Sequence, residues 1–254
     1  SSDLEDIKIF IQYGSITDEK FWDRAKSFFL LKNVEGKYFT LDEYKTYIET
    51  LQKDKNETLV YLYAADAEKQ HIYIQSAQER GYDVLLMDSI LDAHFINMLE
   101  QKLEKSKFAR VDADVIDKLI EKEDSLISKL SEEERKNLSE IFENSVEKEK
   151  FTVVVESLND TDLPVMIMQN EFMRRFQDME RLSGQNGMYG RFEHYNLVVN
   201  DNNEVIVNLL KEEDAEKKSQ MTQQLVDLAL LSQNMLTGEK LSQFVRRSLD
   251  FIAK

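Results

Sequence analysis

No cysteine occurs in the 254 residues, so the chain has no disulfide framework, no thiolate zinc site and no cysteine nucleophile. A reducing cytosol suits it. Proline occurs once, at Pro164, and glycine seven times, which leaves few chain breakers and favours helices joined by short polar links. His71, His94 and His194 are the only histidines, none in HExxH or paired-ligand spacing, and they read as ordinary surface or half-buried side chains. No glycine-rich phosphate loop of the GxGxxG or P-loop kind is present. Neither an apolar run of about 18 residues nor a charged-then-apolar leader is found. Positive charge is scarce: 33 Lys and Arg stand against 49 Asp and Glu, for a net −16. That balance repels phosphate backbones and anionic lipid heads, so neither nucleic acid nor a membrane surface is an expected partner. Close carboxylates such as Asp112 with Asp114, or Asp160 with Asp162, are expected by chance at this acidity. No catalytic, metal or cofactor site is expected in this chain.

What is present is foldable: 42% of residues are hydrophobic and 32% charged. The length exceeds one domain of ~100 to 150 residues, so at least two compact units are expected. The first fifty residues read as helices, with Ile7, Phe10 and Ile11 on one stripe and Phe21, Ala25, Phe28 and Phe29 on another. Thr40-Leu-Asp-Glu43 is a capping box that starts a helix near Leu41. From Leu59 to Val111 short apolar strands alternate with helices, and Gly81 stands where a helix end wants a left-handed residue. This pattern predicts a small parallel sheet covered on both faces, an α/β/α three-layer unit.

Residues 113–150 are charge-rich, and Ser131 followed by three glutamates predicts a helix start. Beyond them, residues 151–158 and 164–168 flank turn residues and read as an antiparallel pair, with 196–200 as a third strand. Helices close the chain. The expected fold class is therefore α+β overall: a helical segment, a small α/β/α unit, and a second α+β domain with a short sheet and a helical hairpin.

Two amphipathic stretches stand out. Phe172, Met173, Phe176, Met179 and Leu182 share one helical face, followed by the glycine-rich residues 183–190. The face is either core on its own sheet or an adaptable apolar surface for partners. In the final pair of helices, Met221, Leu225, Leu228 and Met235 form one stripe, and Leu241, Phe244, Val245, Leu249 and Ile252 form another. A two-fold partner supplying the same hairpin would complete a four-helix bundle; the other solution is docking back onto the sheet.

The sequence also resembles the ninety-kilodalton heat-shock chaperone family, its bacterial members above all. The resemblance is carried by Gly36-Lys-Tyr-Phe-Thr-Leu-Asp-Glu-Tyr44, by Tyr82-Asp-Val-Leu-Leu-Met-Asp88 with Asp92 and residues 97–101, by Phe108 to Ile120, and by Asn170-Glu-Phe-Met-Arg-Arg-Phe176 with residues 195–200. It implies a middle-domain portion, helical over 1–54 and α/β over 55–120, followed by a C-terminal dimerization domain over 121–254. The start at Ser1-Ser2-Asp3 reads as a piece of a longer chain. The family further implies a cytoplasmic, stress-responsive chaperone that forms a homodimer through its last helices. It binds unfolded or partly folded clients. ATP and magnesium would sit in an N-terminal ATPase domain upstream of this chain. By position, Phe172, Met173, Phe176, Met179 and Leu182 would face clients, as would a patch at His94, Phe95 and Asn97. His94 stands where relatives carry tryptophan, which is a departure from the pattern. Two rival readings are a small-molecule-binding α/β enzyme domain and a structural helical dimer.

Overall fold

The structure, a computed structural model, describes residues 2–123, 126–169 and 194–253. These residues form two compact units, the first running to Glu123 and the second taking the rest.

The first unit opens with helices α1 (Ser2–Thr17) and α2 (Glu19–Ala25), the latter capped by Asp18, whose carboxylate accepts from the Lys20 and Phe21 amides. The sequence pattern predicts only helix here, yet a short antiparallel hairpin follows, β1 (Leu30–Lys32) and β2 (Tyr38–Thr40). Its turn is built by side-chain chemistry rather than by periodicity. Asn33 Oδ1 accepts from the amides of Glu35 and Lys37, and Gly36 takes the left-handed conformation at φ 81°. Helix α3 (Leu41–Ile48) starts on the predicted capping box: Glu43 N donates to Thr40 Oγ1 while the Glu43 carboxylate accepts from Thr40 N.

Strands β3 (Leu59–Ala64), β4 (Leu85–Leu86) and β5 (Ser106–Arg110) form the predicted parallel sheet in the order β4-β3-β5. The chain steps from β3 to β4 through helix α4 (His71–Glu79), then back across β3 to β5 through helix α5 (Asp92–Lys102). Because crossovers are right-handed, reversing direction puts the two helices on opposite faces. Burial agrees. Leu59, Tyr61 and Tyr63 share a core with Phe95, Ile96 and Leu99 of α5 and with Trp22, Phe29, Leu41 and Tyr44. Val60, Leu62 and Ala64 point the other way and are equally buried, as are Tyr73, Ile74 and Ala77 of α4, which touches the short helix α6 (Ile116–Leu119). The N-terminal helices and the α/β part thus share one core. Gly81 ends α4 at φ 75°, with Tyr82 N donating to Ala77 O and Gly81 N to Gln78 O.

In the second unit helix α7 (Glu132–Glu143) begins on a capping box between Ser131 and Glu134. Strands β6 (Phe151–Glu156), β7 (Val165–Met168) and β8 (Tyr195–Asn200) form a sheet in the order β6-β8-β7. This corrects the expected antiparallel pair: β6 and β7 are not neighbours, because β8 lies between them, parallel to β6 and antiparallel to β7. Strand β8 takes the centre by pairing in register with the whole of β6 on one side and the whole of β7 on the other, which satisfies its backbone on both edges. Helices α8 (Glu204–Lys211), α9 (Ala215–Ser232) and α10 (Gly238–Ile252) follow, capped by Asn203 and Asp214 at the first two starts. The core joins Leu138 and Phe142 of α7, Ile206 and Leu209 of α8, and Leu225, Val226 and Ala229 of α9 to Val165, Ile167, Leu197 and Val199 of the sheet. The fold is α+β, as the sequence predicts.

Candidate functional site

The final hairpin is the first candidate, and its nine predicted residues separate into two sets. Leu225 is buried in the unit's own core, against which Met221 of α9 and Met235, in the turn after α9, also pack, so these three serve the unit itself. Phe244 is buried too, on the side of α10 that faces α9. By contrast Leu228 is 47% exposed, Val245 47%, Leu249 60% and Ile252 81%, with Leu241 half-buried. Positions 241, 245, 249 and 252 recur at steps of four and three, which is one continuous row along α10. Leu231 joins Leu228 as an exposed apolar neighbour on α9.

The contact between the two helices is unlike these outer rows. Asp227, buried, accepts from Arg247 Nη2 at 2.5 Å and from Gln223 Nε2 at 2.9 Å. Arg247 Nε donates to Gln224 Oε1 at 2.8 Å, and Gln224 Nε2 donates to Ser248 Oγ at 2.8 Å. Phe244 apart, the seam is polar while the outside is apolar, the reverse of a hairpin that satisfies itself. Sequence reasoning missed this network. Its signal was visible as Asp227 standing inside the apolar run from Leu225 to Leu231.

In the first unit, His94, Phe95 and Asn97 lie on α5. Here the structure corrects one expectation. Phe95 is 0% exposed, its ring 4.7 Å from Phe29 and 6.2 Å from Trp22 by centroid, so it is core and offers nothing to a client. His94 and Asn97 are half-buried at the surface. Asp92 at the helix start is buried and accepts from Gln12 Nε2, Lys8 Nζ and the Ser89 amide, which ties α5 to α1. Burial pushes the Asp92 carboxyl above its usual range, against the pull of Lys8. On α1 and the β1 hairpin, Ile7, Ile11, Phe28, Phe29, Leu30 and Tyr38 line an apolar groove of about 270 Å³, with Lys8 at its edge. Phe172, Met173, Phe176, Met179 and Leu182 lie outside the described residues.

An open parallel sheet presents any small-molecule site at the carboxyl ends of its strands. In this chain those ends are bonded internally. Gln70 Oε1 accepts from the amides of Ala65 and Asp66 at 2.8 and 2.9 Å, Met87 N donates to Ala64 O, and Arg110 pairs with Asp112 at 3.0 Å. Among the described residues no three His, Asp or Glu side chains gather as metal ligands, and no helix is long and apolar enough to cross a membrane.

A family model described as Hsp90 protein matches residues 6–249, nearly the whole chain. The chain belongs to the Hsp90 family. Among its relatives, the chaperone protein htpG of Bacteroides fragilis is 36% identical over 315 residues, covering 97% of this chain and 46% of that protein. The HtpG chaperones of Porphyromonas gingivalis and Bacteroides thetaiotaomicron are 36% and 35% identical, over 96% and 97% of this chain and 46% of each relative. The chain therefore spans less than half the length of these Hsp90-family relatives. Their matched stretch is longer than the 254 residues here, so they carry residues within it that this chain lacks.

Proposed function

We propose that the chain works as a non-catalytic part of an HtpG-type chaperone in the cytoplasm, pairing with a second copy of itself through its last two helices and contributing surface to unfolded or partly folded clients. One observation carries the pairing: Leu228, Leu231, Val245, Leu249 and Ile252 remain exposed on one hairpin whose internal seam is polar. Apolar area removed from water contributes ~25 cal/mol per Å² before association costs, so a row of this kind favours a self-complementary partner. ATP and magnesium belong, in this reading, to a different part of the protein, as the family resemblance implies.

Client contact is proposed for His94 and Asn97, without Phe95, and for the amphipathic face Phe172, Met173, Phe176, Met179 and Leu182. The exposed apolar side chains Ile7, Phe10 and Phe28 on the first unit add candidate contact area. The decisive experiment replaces Leu228→Glu together with Leu249→Glu and measures mass by light scattering. Monomers with unchanged helix content are expected. A dimer that persists at the wild-type concentration range sinks the pairing.

A further inference from the structure

The polar seam of the α9–α10 hairpin poses a physical question, because replacing a buried ion pair by apolar side chains of similar volume is often neutral or stabilising. Stability alone therefore does not account for Asp227 and Arg247. Their geometry suggests another role. Arg247 uses Nε on Gln224 and Nη2 on Asp227, two groups one turn apart on α9, so a planar fork grips a fixed stretch of the opposite helix. Sliding α10 by one residue, ~1.5 Å, breaks both bonds.

The competing arrangement follows from helix geometry. The row Leu241, Val245, Leu249 and Ile252 lies roughly 100° around α10 from the seam side chains Phe244, Arg247 and Ser248. If α10 rolled by that angle, the row would pack on α9 and the monomer would satisfy itself. Apolar attraction is non-directional and would favour the roll. What opposes it is the cost of leaving Asp227 and Arg247 without their partners.

We infer that the Asp227–Arg247–Gln224 network is a positioning device. It holds α10 in the one register and rotation that leave its apolar row facing outward, aligned with Leu228 and Leu231, for a second copy of this chain. This rests on the pairing proposed above. The residues act through the row they orient and need not touch the partner. A seam that served only to stabilise the hairpin would let pairing follow stability, whereas a positioning seam lets the two part.

The test uses the full chain with two variants, Asp227→Leu with Arg247→Met, which makes the seam apolar, and Arg247→Lys, which keeps the charge but loses the fork. Helix content and thermal midpoint are measured beside the dimer dissociation constant from sedimentation. The apolar seam is expected to keep or raise the midpoint while weakening pairing at least 10-fold, and Arg247→Lys to weaken it about threefold at an unchanged midpoint. The chain has no cysteine, so spin labels on Lys217→Cys and Asp250→Cys report the register directly. Their distance distribution is expected to shift or broaden in the apolar-seam chain. Wild-type pairing and an unchanged distribution in the folded variants overturn the inference. If the apolar-seam chain does not fold, Arg247→Lys decides alone. Failure of Leu228→Glu with Leu249→Glu to separate the wild-type dimer would overturn the pairing itself, a distinguishable result.

Discussion

In α5 the apolar side chains Phe95, Ile96 and Leu99 are all sunk in the first unit's core, whereas in α10 only Phe244 is covered and Val245, Leu249 and Ile252 face solvent. Both helices carry an apolar face. The difference lies in what their own unit offers. Helix α5 meets a sheet whose central strand is buried on both faces, together with α1 and the β1 hairpin, so its face is used up within the unit. Helix α10 packs on α9 through a seam whose one buried apolar side chain is Phe244, and reaches the rest of its unit through the exposed Lys240–Glu147 ion pair. A sequence pattern therefore tells which face is apolar but not whether the same chain covers it. That depends on the neighbour.

The sharpest way to break this comparison is to truncate one residue on each helix. Phe95→Ala removes a fully enclosed ring that packs on Phe29 and Trp22, and should destabilise the first unit by about 3–5 kcal/mol. Leu249→Ala should change the stability of the monomer by only about 0.5 kcal/mol, and should weaken pairing instead. Urea denaturation, with sedimentation for Leu249→Ala, measures both. Equal losses of stability would mean that the two faces are covered alike.

The second unit has its own high-cost position. Asp201, fully buried, accepts from Ser128 Oγ at 2.7 Å and Ser157 Oγ at 3.2 Å, and pairs with Arg135 Nε at 2.9 Å. It follows Asn200, whose side chain ties Leu158 N, Asn159 O and Asn202 N together. Asp201→Ala removes the acceptor of both hydroxyls and the buried carboxylate beside Arg135, whose Nη2 still donates to Val155 O, so a loss of about 3 kcal/mol is expected in the second unit. Calorimetry that finds only the first unit's transition shifted would contradict it.

Much of this fold was legible because local chemistry decided it. Thr40 with Glu43, Ser131 with Glu134, and Gly81 each predict a helix boundary that the structure keeps, and the alternation of strands and helices from Leu59 to Val111 predicts the parallel sheet. The β1 hairpin was not legible. Its strands are three residues each, too short for a period, and its turn depends on the Asn33 side chain, which also donates to Asp83 at 2.8 Å some fifty residues away. Nor was the insertion of β8 between β6 and β7, a long-range pairing that no local pattern encodes. At the candidate sites the apolar rows were legible and their destinations were not. Phe95 is the instructive case: its spacing with Ile96 and Leu99 marks a buried face, yet the family resemblance alone would put it on the surface.

A smaller effect compares the two capping boxes, one in each unit. In both, a hydroxyl accepts from the third helical amide, Glu43 N at 3.4 Å and Glu134 N at 3.3 Å, and the glutamate carboxylate reaches back to the cap amide at 2.8 Å. Thr40→Ala and Ser131→Ala should each cost about 1 kcal/mol. Helix α3 is anchored by the buried Tyr44 and Ile48, and α7 by the buried Leu138 and Phe142, so neither helix should melt separately. Local amide exchange should quicken in the first turn of the altered helix only. Quickening along the whole of α7 would show that the cap, and not the core contact, holds that helix.

The smallest expected effect sets carboxyls of opposite behaviour against each other across the two units. Asp83 in the first unit is half-buried and held by neutral donors, Tyr44 Oη and Asn33 Nδ2, each at 2.8 Å. Burial raises its carboxyl above the usual 3.8; the two hydrogen bonds and Lys37 oppose this, and Glu35 adds to it. The folded state then binds the proton more tightly than the unfolded state. Its contribution to stability is fullest below 3.8 and falls as pH rises through the raised value. Glu134 in the second unit is the reverse, lowered from 4.5 by the backbone and side chain of Ser131, so its contribution is present above 4.5 and is lost as pH falls through the lowered value. Denaturation of Asp83→Asn and Glu134→Gln across the carboxylate range, each subtracted from wild type, should therefore give slopes of opposite sign, negative with rising pH for Asp83 and positive for Glu134. Slopes of the same sign would mean that solvent, not the local partners, sets the proton affinity of one of these groups.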